Sequence, residues 1–587
     1  MPDKELETLA RVALGDEKSD LAIIGGDVVN VYTGELLKGW SVAIKGKMIA
    51  YVGPDASHTV GPDTRVIDAR GKVLAPGFVE GHTHVDTIFT LPEVVKYAIL
   101  GGTTTIIAET SVIGNALGYK GVVYFIEAGR NQLVKFYYTL PACVPPFPHL
   151  ESSNPLTERE MEDLLLRGEV VGMGEGYWTS VMHEMGRVSG YYAQAKAAGK
   201  TREGHGAGLR GNKLVAYAAL GVDSDHEPIT PAEVMERLRL GLYVFVREGT
   251  IRRDLANVIA IKDQNVELRR IGLGTDGISP KELVRDGYLD FIVQKAIDLG
   301  LDPIKVFQMA SLNVAEHFGL DDRLGGIAPG RFADILVMPD LRTVKFDYVV
   351  VNGQVAAEGG KCLVPVWPYV YPEDARNTVR LPRRFTSQDF AILVPDGRRE
   401  ATVRIISMRN DIICDEAQVS LPVKGGQVCA DVDSDLLKVA AIQRFDNSGR
   451  TGLGLIRGFG LKRGAFGASI GWDSLPIVVV GASEADMAAV VNRLAENQGG
   501  MVLVEGGRVL EEIPMPVGGI ISELPVPVLA EKQERLLVLL KEMGSCLDDP
   551  TLSIQTLSAT FLPFLKISES GLVDTRKNQV VSLFVDH

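Results

Sequence analysis

Two histidines one residue apart, His82 and His84, stand at the end of an apolar run of the sequence. In a β-strand, residues i and i+2 point to the same face, so the two imidazoles face one point. Two convergent neutral imidazoles form a chelate that suits Zn, Mn or Fe. The turn signal Ala75-Pro76-Gly77 precedes the run, and this position at a predicted strand end favours a metal site over a chance pair on a solvated edge.

Four further residues of metal-binding type lie at predicted strand ends or in the loops that follow. They are Glu175, His205, His226 and Asp276. Each alone is typical of a solvated loop, a turn or a helix cap. However, the chain has nine histidines, and four of them fall at such positions. The other five are expected in surface, loop or helix positions: His58, His149, His183, His317 and His587. Of these, His149 and His183 stay open as site candidates.

A barrel is the arrangement of elements that would bring these residues together. From Pro76 to about Asn313, apolar strand-like runs such as Thr104–Ala108 and Val170–Met173 alternate with helical stretches such as Pro231–Leu240. Alternation over this length predicts a TIM-like (β/α)₈ barrel, in which the active groups lie at the C-terminal ends of the strands.

The segments on both sides of the predicted barrel have β character. Residues 4–16 predict a short amphipathic helix, and residues 21–73 predict short strands separated by glycine turns. Residues 327–357 are again β-like, so we expect one small β-sandwich lobe built from both flanks. The predicted domains of this α/β protein are the N-terminal helix and lobe (1–75, completed by about 327–370), the barrel (76–326) and a C-terminal α/β domain (375–587).

Composition and charge indicate a globular protein. A chain of 587 residues is too long for one core and suggests roughly three or four domains. The net charge of −14 argues against a nucleic-acid backbone as partner. Five scattered cysteines without a Cys-x-x-Cys motif fit a reducing compartment. No signal-like N-terminus and no apolar run of about 18 residues is visible, so we expect a cytoplasmic protein without a membrane partner.

The order of the candidate residues resembles the amidohydrolase superfamily, whose members hold one or two divalent metals in a (β/α)₈ barrel. His-x-His is followed along the chain by two further histidines and an aspartate. The resemblance is closer to one branch, the adenine deaminase family of bacteria and archaea, and it covers nearly the whole chain. The blocks similar to that family are Gly204–Leu214, Gly221–Glu227, Val246–Thr250, Asn313–Ala315, Ile327–Ile335 and Gly458–Ala465.

This resemblance implies a metal-dependent aminohydrolase that converts adenine to hypoxanthine and ammonia. The implied reaction is attack of metal-bound hydroxide on the ring carbon that carries the amino group. The implied ligands of one or two Mn, Fe or Zn ions per chain are His82, His84, His205, His226, Asp276 and Glu175. Asp276, Glu175 and His226 are the implied catalytic residues, and Asp276 or Glu175 would move the proton. The implied partner is a purine or related heterocycle, and the implied assembly is a homo-oligomer such as a homodimer.

The sequence departs from the family pattern close to the predicted site. Where the family has Asp-Pro-His-Glu, this chain has Glu109-Thr-Ser111-Val112, so valine replaces a carboxylate that is a candidate metal bridge. Two cations a few ångströms apart need an anionic bridge. This loss therefore favours one metal over two, unless Glu109 supplies the bridging carboxylate instead.

Two other departures concern the substrate. Thr275-Asp276-Gly277 replaces Thr-Asp-Asp of the family, and the segment that contains Trp472 has lost two family histidines. If its loop reaches the pocket, we expect Trp472 to stack on a planar ring. These changes keep two alternatives open: a hydrolase of another cyclic amide, amidine or modified purine, and a non-catalytic metal-binding paralogue.

Overall fold

The computed structural model describes residues 4–394 and 397–585, and its N-terminal part is a helix followed by a β-lobe. The predicted helix is present as α1 (Lys4–Leu14), and its buried side packs on the lobe. The strands of this part are β1 (Leu21–Asn30), β2 (Glu35–Lys45), β3 (Met48–Gly53), β4 (Arg65–Asp68) and β5 (Val73–Pro76), with a 3₁₀ turn at Ser57–Thr59. β1 pairs antiparallel with β2 and parallel with β4 and β5.

The central part of the chain alternates strands and helices. Its strands are β6 (Phe78–Thr83), β7 (Ile88–Phe89), β8 (Thr103–Glu109), β9 (Lys135–Leu140), β10 (Val170–Tyr177), β11 (Thr201–His205), β12 (Ser224–Asp225), β13 (Tyr243–Arg247) and β14 (Ile271–Gly274). Its helices are α2 (Leu91–Leu100), α3 (Ser111–Arg130), α4 (Glu158–Leu165), α5 (Trp178–His183), α6 (Met185–Ala197), α7 (Gly211–Ala219), α8 (Pro231–Arg239), α9 (Leu255–Val258), α10 (Pro280–Asp286), α11 (Leu289–Asp298), α12 (Pro303–Met309) and α13 (Leu312–His317), with a 3₁₀ turn at Ile259–Asp263. The side chains of Thr230, Ser279 and Asp302 accept backbone N–H groups where α8, α10 and α12 begin, and a proline follows each cap. These pairs of cap and proline explain why the helices start where they do.

Eight of the described strands close into a barrel, which confirms the predicted fold. β6, β8, β9, β10 and β11 form one parallel sheet, and β12, β13 and β14 form another. The two sheets join at two places. Between β11 and β12, the N–H of Asp223 donates to the carbonyl of Arg202 (2.8 Å). Between β14 and β6, the N–H of Asp276 donates to the carbonyl of His82 (3.0 Å) and the N–H of His84 donates to the carbonyl of Asp276 (2.5 Å). The predicted His-x-His pair and the predicted aspartate therefore meet where the barrel closes.

After the barrel the chain returns to the lobe. The strands of this return are β15 (Ile335–Met338), β16 (Tyr348–Val351), β17 (Gln354–Glu358) and β18 (Lys361–Cys362). β15 pairs with β5, so strands from both flanks form one sheet in the order β18-β17-β16-β15-β5-β1-β2-β3, with β4 beside β1. Ile23, Val42, Ile335 and Val350 are fully buried in its core.

The C-terminal part consists mostly of β-structure. Its strands are β19 (Ile392–Leu393), β20 (Glu400–Met408), β21 (Cys414–Lys424), β22 (Gln427–Val428), β23 (Leu436–Ile442), β24 (Thr451–Arg457), β25 (Ala465–Ala468), β26 (Ile477–Gly481), β27 (Gly500–Glu505), β28 (Arg508–Pro514), β29 (Ile521–Ser522), β30 (Leu565–Ser568), β31 (Gly571–Asp574) and β32 (Gln579–Val581). Its helices are α14 (Glu484–Glu496), α15 (Val526–Glu542) and α16 (Pro550–Thr556), with 3₁₀ turns at Glu373–Ala375 and Ser387–Phe390. The structure differs here from the predicted alternation of strands and helices, because β19–β28 join in one mainly antiparallel sheet and α14 is the helix inserted between them. Across the described ranges, the helices are too short or too polar to cross a membrane.

The C-terminal domain docks on the barrel beside the His-x-His pair. β29 runs parallel to β7, with Ile521 opposite Ile88. The N–H of Ile88 donates to the carbonyl of Ile520 (2.8 Å). Since β7 follows His84 by a few residues, this pairing places C-terminal residues next to the mouth of the barrel.

Candidate metal centre and substrate pocket

The six predicted site residues lie at or just beyond the C-terminal ends of barrel strands. They are His82 and His84 (β6), Glu175 (β10), His205 (β11), His226 (after β12) and Asp276 (after β14). These strand ends surround one mouth of a (β/α)₈ barrel, so residues far apart in the sequence converge there. Five of the six are buried, and the side chain of His205 is 13% exposed.

Glu175 lies at the centre of this cluster. Its Oε1 lies 3.0 Å from Nε2 of His226 and 3.5 Å from Nδ1 of His205. The same oxygen lies 3.2 Å from Nε2 of His82 and 3.3 Å from Nε2 of His84. One carboxylate oxygen has about two lone pairs, so it cannot accept hydrogen bonds from four imidazoles at once. Within the described residues, the buried Nε2 of His82 has no hydrogen-bond partner. This donor set therefore fits metal cations better than it fits a hydrogen-bonded cluster.

The cluster divides into two donor groups that share Glu175. One contains His82, His84, Glu175 and Asp276, and the other contains Glu175, His205 and His226. In each group the possible ligand atoms lie within 4.8 Å of one another. The rings of His82 and His226 stack between the groups, with their centroids 4.0 Å apart. Nitrogen and carboxylate donors in this arrangement suit Zn, Mn or Fe, and a shared carboxylate is the anionic bridge that two cations require.

Val112 and Glu109 lie in the segment where the family has a candidate bridging carboxylate. Val112 lies in the first turn of α3, and its backbone N–H donates to Oδ2 of Asp86 (2.9 Å). The carboxylate that the two donor groups share belongs to Glu175, so a shared anion is present although position 112 is valine. Glu109 does not take a bridging position, because its Oε1 faces the outer nitrogen of His82, Nδ1, at 3.5 Å. Burial and the charge of Glu175 raise the pKa of Glu109 to about 8, although His82 opposes this shift. A carboxyl group at that nitrogen orients a histidine ligand.

A fully buried arginine fixes the carboxylate of Asp276. Nη1 of Arg247 lies 3.1 Å from Oδ2 of Asp276, while Oδ1 lies 3.6 Å from Nε2 of both His82 and His84. Burial alone would raise the pKa of Asp276, but the neighbouring imidazole of His82 and the charge of Arg247 lower it below its usual range. Asp276 is therefore held ionised, with one oxygen turned to the imidazoles.

Glu227 is a pocket residue that the sequence analysis missed. Its Oε1 lies 3.5 Å from Nε2 of His205, and its carboxylate accepts hydrogen bonds from Arg247. Burial opposes ionisation, but the charge of Arg247 lowers the pKa of Glu227. The available signal was its position directly after His226 in the Asp-His-Glu block.

A cavity of about 310 Å³ opens on this cluster between the barrel and the C-terminal domain. The C-terminal domain contributes its apolar wall through Ile412, Ile413, Trp472, Phe561, Leu562 and Pro563. The loop that carries Trp472 thus reaches the pocket, and its indole lies edge to face with His84 at 5.2 Å. Its Nε1 is buried and has no hydrogen-bond partner in the described ranges. Phe561 stacks on Tyr177 at 4.0 Å, and the hydroxyl of Tyr177 donates to Oε2 of Glu175 (2.8 Å). The pocket therefore has apolar walls, and a buried indole N–H without a partner lies in the residue that forms one of them.

The other histidines that the structure describes lie outside this pocket. His317 is on α13 as a helix residue, but it is buried, with Nε2 2.9 Å from both carboxylate oxygens of Glu203. His58 is exposed, and His587 lies outside the described residues. The two histidines left open by the sequence, His149 and His183, lie together, with ring centroids 5.4 Å apart.

A closed (β/α)₈ barrel with convergent histidines and carboxylates at its strand ends defines an amidohydrolase. In agreement, the sequence model of the Amidohydrolase family matches residues 73–358. The model described as the adenine deaminase C-terminal domain matches residues 411–579.

Comparison with known proteins identifies the branch. The chain is 38% identical to an adenine deaminase of Moorella thermoacetica over 98% of this chain and 97% of that protein. It is 35% identical to an adenine deaminase of Clostridium botulinum (strain Langeland) over 99% of this chain and 98% of that protein. A solved structure of an adenosine deaminase from Xanthomonas campestris with bound zinc is 17% identical, with a TM-score of 0.44, over 59% of this chain and 95% of that chain. The chain belongs to the adenine deaminase family.

Proposed function

We propose that this protein deaminates adenine, producing hypoxanthine and ammonia. The observation that carries the proposal is the pair of donor groups that share Glu175 at the base of a pocket closed by the C-terminal domain. The similarity to adenine deaminases extends over both the barrel and this second domain. It favours adenine over another cyclic amide or amidine, and it favours catalysis over a non-catalytic role.

We propose that the cluster holds two divalent ions, either Mn, Fe or Zn. The residues that would hold the first are His82, His84 and Asp276, those that would hold the second are His205 and His226, and Glu175 would be shared between them. When bound, such an ion lowers the pKa of a water molecule enough to supply hydroxide near neutral pH.

Asp276 is the proposed proton carrier. It is ionised, and Arg247 holds Oδ2, so only Oδ1 turns towards the imidazoles. A fixed, ionised carboxylate at this place accepts the proton of the attacking water and delivers it to the departing amino group. Glu175 and His226 complete the proposed catalytic set. Glu175 supplies negative charge between the two donor groups, and His226 lies 3.0 Å from it in a ring stack with His82.

Glu227 and Trp472 are proposed to recognise the purine ring. The ionised carboxylate of Glu227 lines the cavity and accepts hydrogen bonds, so it fits an N–H of the purine. The indole N–H of Trp472 donates, so it fits an unprotonated ring nitrogen. The faces of Phe561 and Ile251 supply apolar walls for a flat heterocycle.

Ammonia release from adenine tests this function. The metal-free protein is loaded separately with Mn, Fe or Zn, and ammonia and hypoxanthine are measured together. Equal amounts of both products with at least one metal support the proposal. No release with any of the three metals contradicts it, and release from other cyclic amidines only would assign the site to a different substrate.

Three further points stay predictions. The division of the chain at 1–75 with 327–370, 76–326 and 375–587 predicts a protease-sensitive segment near the exposed residues Leu363, Trp367 and Val370. The cytoplasmic location and the homodimer rest on family resemblance and composition. Light scattering on the protein as it elutes from a size-exclusion column measures its molar mass and so tests the homodimer.

A further inference from the structure

We propose a second, separate metal site at the rim of the barrel, formed by His149, His183 and Glu184. One possible ligand atom of each residue lies within 4.8 Å of those of the other two. The two imidazole rings lie 5.4 Å apart and are tilted by 32°. None of the three residues belongs to the donor groups around Glu175.

The two rings are supported by a buried aromatic side chain. Phe147 lies edge to face with His149 at 6.2 Å and with His183 at 5.9 Å. Phe147 is 2% exposed, and the turn around it is fixed because the N–H groups of Leu150 and Glu151 donate to its carbonyl (2.9 and 3.2 Å). Phe147 therefore gives both imidazoles a fixed aromatic surface to pack against.

The other contacts of these residues leave one donor of each free for a metal. Nε2 of His149 lies 3.1 Å from the carbonyl of Asn578. A histidine that donates its N–H to a carbonyl has a lone pair on its other nitrogen, which is the arrangement found in metal ligands. Oε2 of Glu184 faces Arg187 at 3.6 Å, while Oε1 lies 3.9 Å from Nε2 of His183. The arginine therefore lies beside one carboxylate oxygen, and the other oxygen faces the site.

The donor types select the kind of metal. Two imidazoles and one carboxylate suit Zn²⁺ and similar first-row ions, whereas Mg²⁺ and Ca²⁺ prefer oxygen ligands only. Both histidines are exposed and Glu184 is partly exposed, so water would fill the remaining positions. An open site with three protein ligands holds its metal less tightly than the buried cluster, and a chelator should empty it first.

The site lies where three parts of the chain meet. His149 follows β9, His183 ends α5, and Asn578 lies in the turn between β31 and β32 of the C-terminal domain. Below it, Phe147 packs with Leu150, Val573 and Phe561. Because Phe561 also forms a wall of the substrate pocket, a metal at the rim would stabilise the docking of the C-terminal domain over that pocket.

Zinc stoichiometry of the full-length protein tests the site. The double variant H149A/H183A is compared with wild type and with H58A, which removes an exposed histidine elsewhere. Each protein is dialysed against micromolar Zn²⁺ and its bound zinc is counted. Wild type and H58A should hold one more zinc per chain than the double variant, and that zinc should leave first with a chelator. Equal counts in all three proteins would overturn the proposal.

A second variant keeps the test valid if the double variant folds poorly. Glu184→Gln retains the size of the side chain but removes its charge, so the rim site should bind zinc at least tenfold more weakly. Once the buried cluster is filled, added zinc should raise the melting temperature of wild type more than that of E184Q at the same zinc concentration. Unchanged zinc affinity in E184Q would contradict the site. Adenine deamination by E184Q is measured alongside, so failure of the rim site can be distinguished from failure of the proposed activity.

Discussion

Arg247 and Asp276 form a buried pair in which Nη1 of the arginine lies 3.1 Å from Oδ2 of the aspartate. The other carboxylate oxygen, Oδ1, lies 3.6 Å from Nε2 of both His82 and His84. Arg247 also donates to Glu227 and Asp254. One guanidinium at the end of β13 therefore orients the proposed proton carrier and the proposed substrate-binding carboxylate together.

Replacing Arg247 by lysine should lower kcat. Lysine keeps the charge but lacks the planar fork that binds several carboxylates at once, so Asp276 would lose its fixed orientation. Loss of such an orienting contact typically costs about 10- to 100-fold in activity or metal affinity. Steady-state ammonia release measures the effect, with Arg269→Lys on the surface as the matched control. An unchanged kcat in the Arg247 variant would remove the arginine from the mechanism.

Trp472→Phe should raise KM for adenine more than it lowers kcat. Phenylalanine retains an aromatic wall but lacks the indole N–H, which has no partner in the described structure. A hydrogen bond worth about 1–1.5 kcal/mol corresponds to a change in KM of roughly tenfold. Trp40→Phe, in the β-lobe, controls for general effects of the substitution. Equal KM values for the Trp472 variant and wild type would mean that the indole nitrogen does not touch the substrate.

Glu227→Gln should reduce kcat/KM for adenine while leaving the metal content intact. Glutamine keeps the shape of the side chain but removes the negative charge that faces Arg247 and the cavity. Losing a charge-assisted hydrogen bond of about 1.5–3 kcal/mol lowers kcat/KM by roughly 10- to 150-fold. Glu236→Gln on the exposed side of α8 provides the control. A loss of metal in the Glu227 variant, with kinetics restored by excess metal, would instead make Glu227 a ligand.

Asp334→Asn should destabilise the fold without changing the active site. Asp334 pairs with Lys135 at 2.8 Å, and both side chains are almost fully buried. Burial lowers the pKa of Lys135, and Asp334 opposes this shift. Leaving one charge of a buried pair without its partner costs about 3–5 kcal/mol, whereas breaking the exposed pair Lys45–Asp20 should cost under about 1 kcal/mol. Urea unfolding of D334N and D20N measures the difference. Equal losses of unfolding free energy in the two variants would contradict the assignment of Lys135 and Asp334 as a buried ion pair.

Part of the site could be predicted because it depends on local periodicity. His82 and His84 share a face because strand residues alternate, and the strand–helix alternation placed their strand in a barrel. The shared position of Glu175 could not be predicted in the same way. It depends on how closely the ends of β6, β10, β11 and β12 approach when the barrel closes.

The contacts of Glu227 and Trp472 show the same limit. Glu227 follows the short strand β12, where strand alternation no longer tells which way a side chain points. The contact of Trp472 with His84 depends on the docking of β29 beside β7, a contact between segments more than 400 residues apart. In the C-terminal domain, short apolar runs such as Ile477–Gly481 fit a buried strand of either a parallel or an antiparallel sheet, so periodicity alone could not exclude further strand–helix units.

The metal content of the active protein tests the central claim most directly. Elemental analysis is combined with adenine deamination on the same sample, in the H149A/H183A background so that rim-bound zinc is not counted. The shared position of Glu175 predicts two ions per chain in the active protein, and it predicts that Glu175→Gln loses at least one ion together with ammonia release. Full activity with one ion per chain, or two ions retained by the Glu175 variant, would contradict the account.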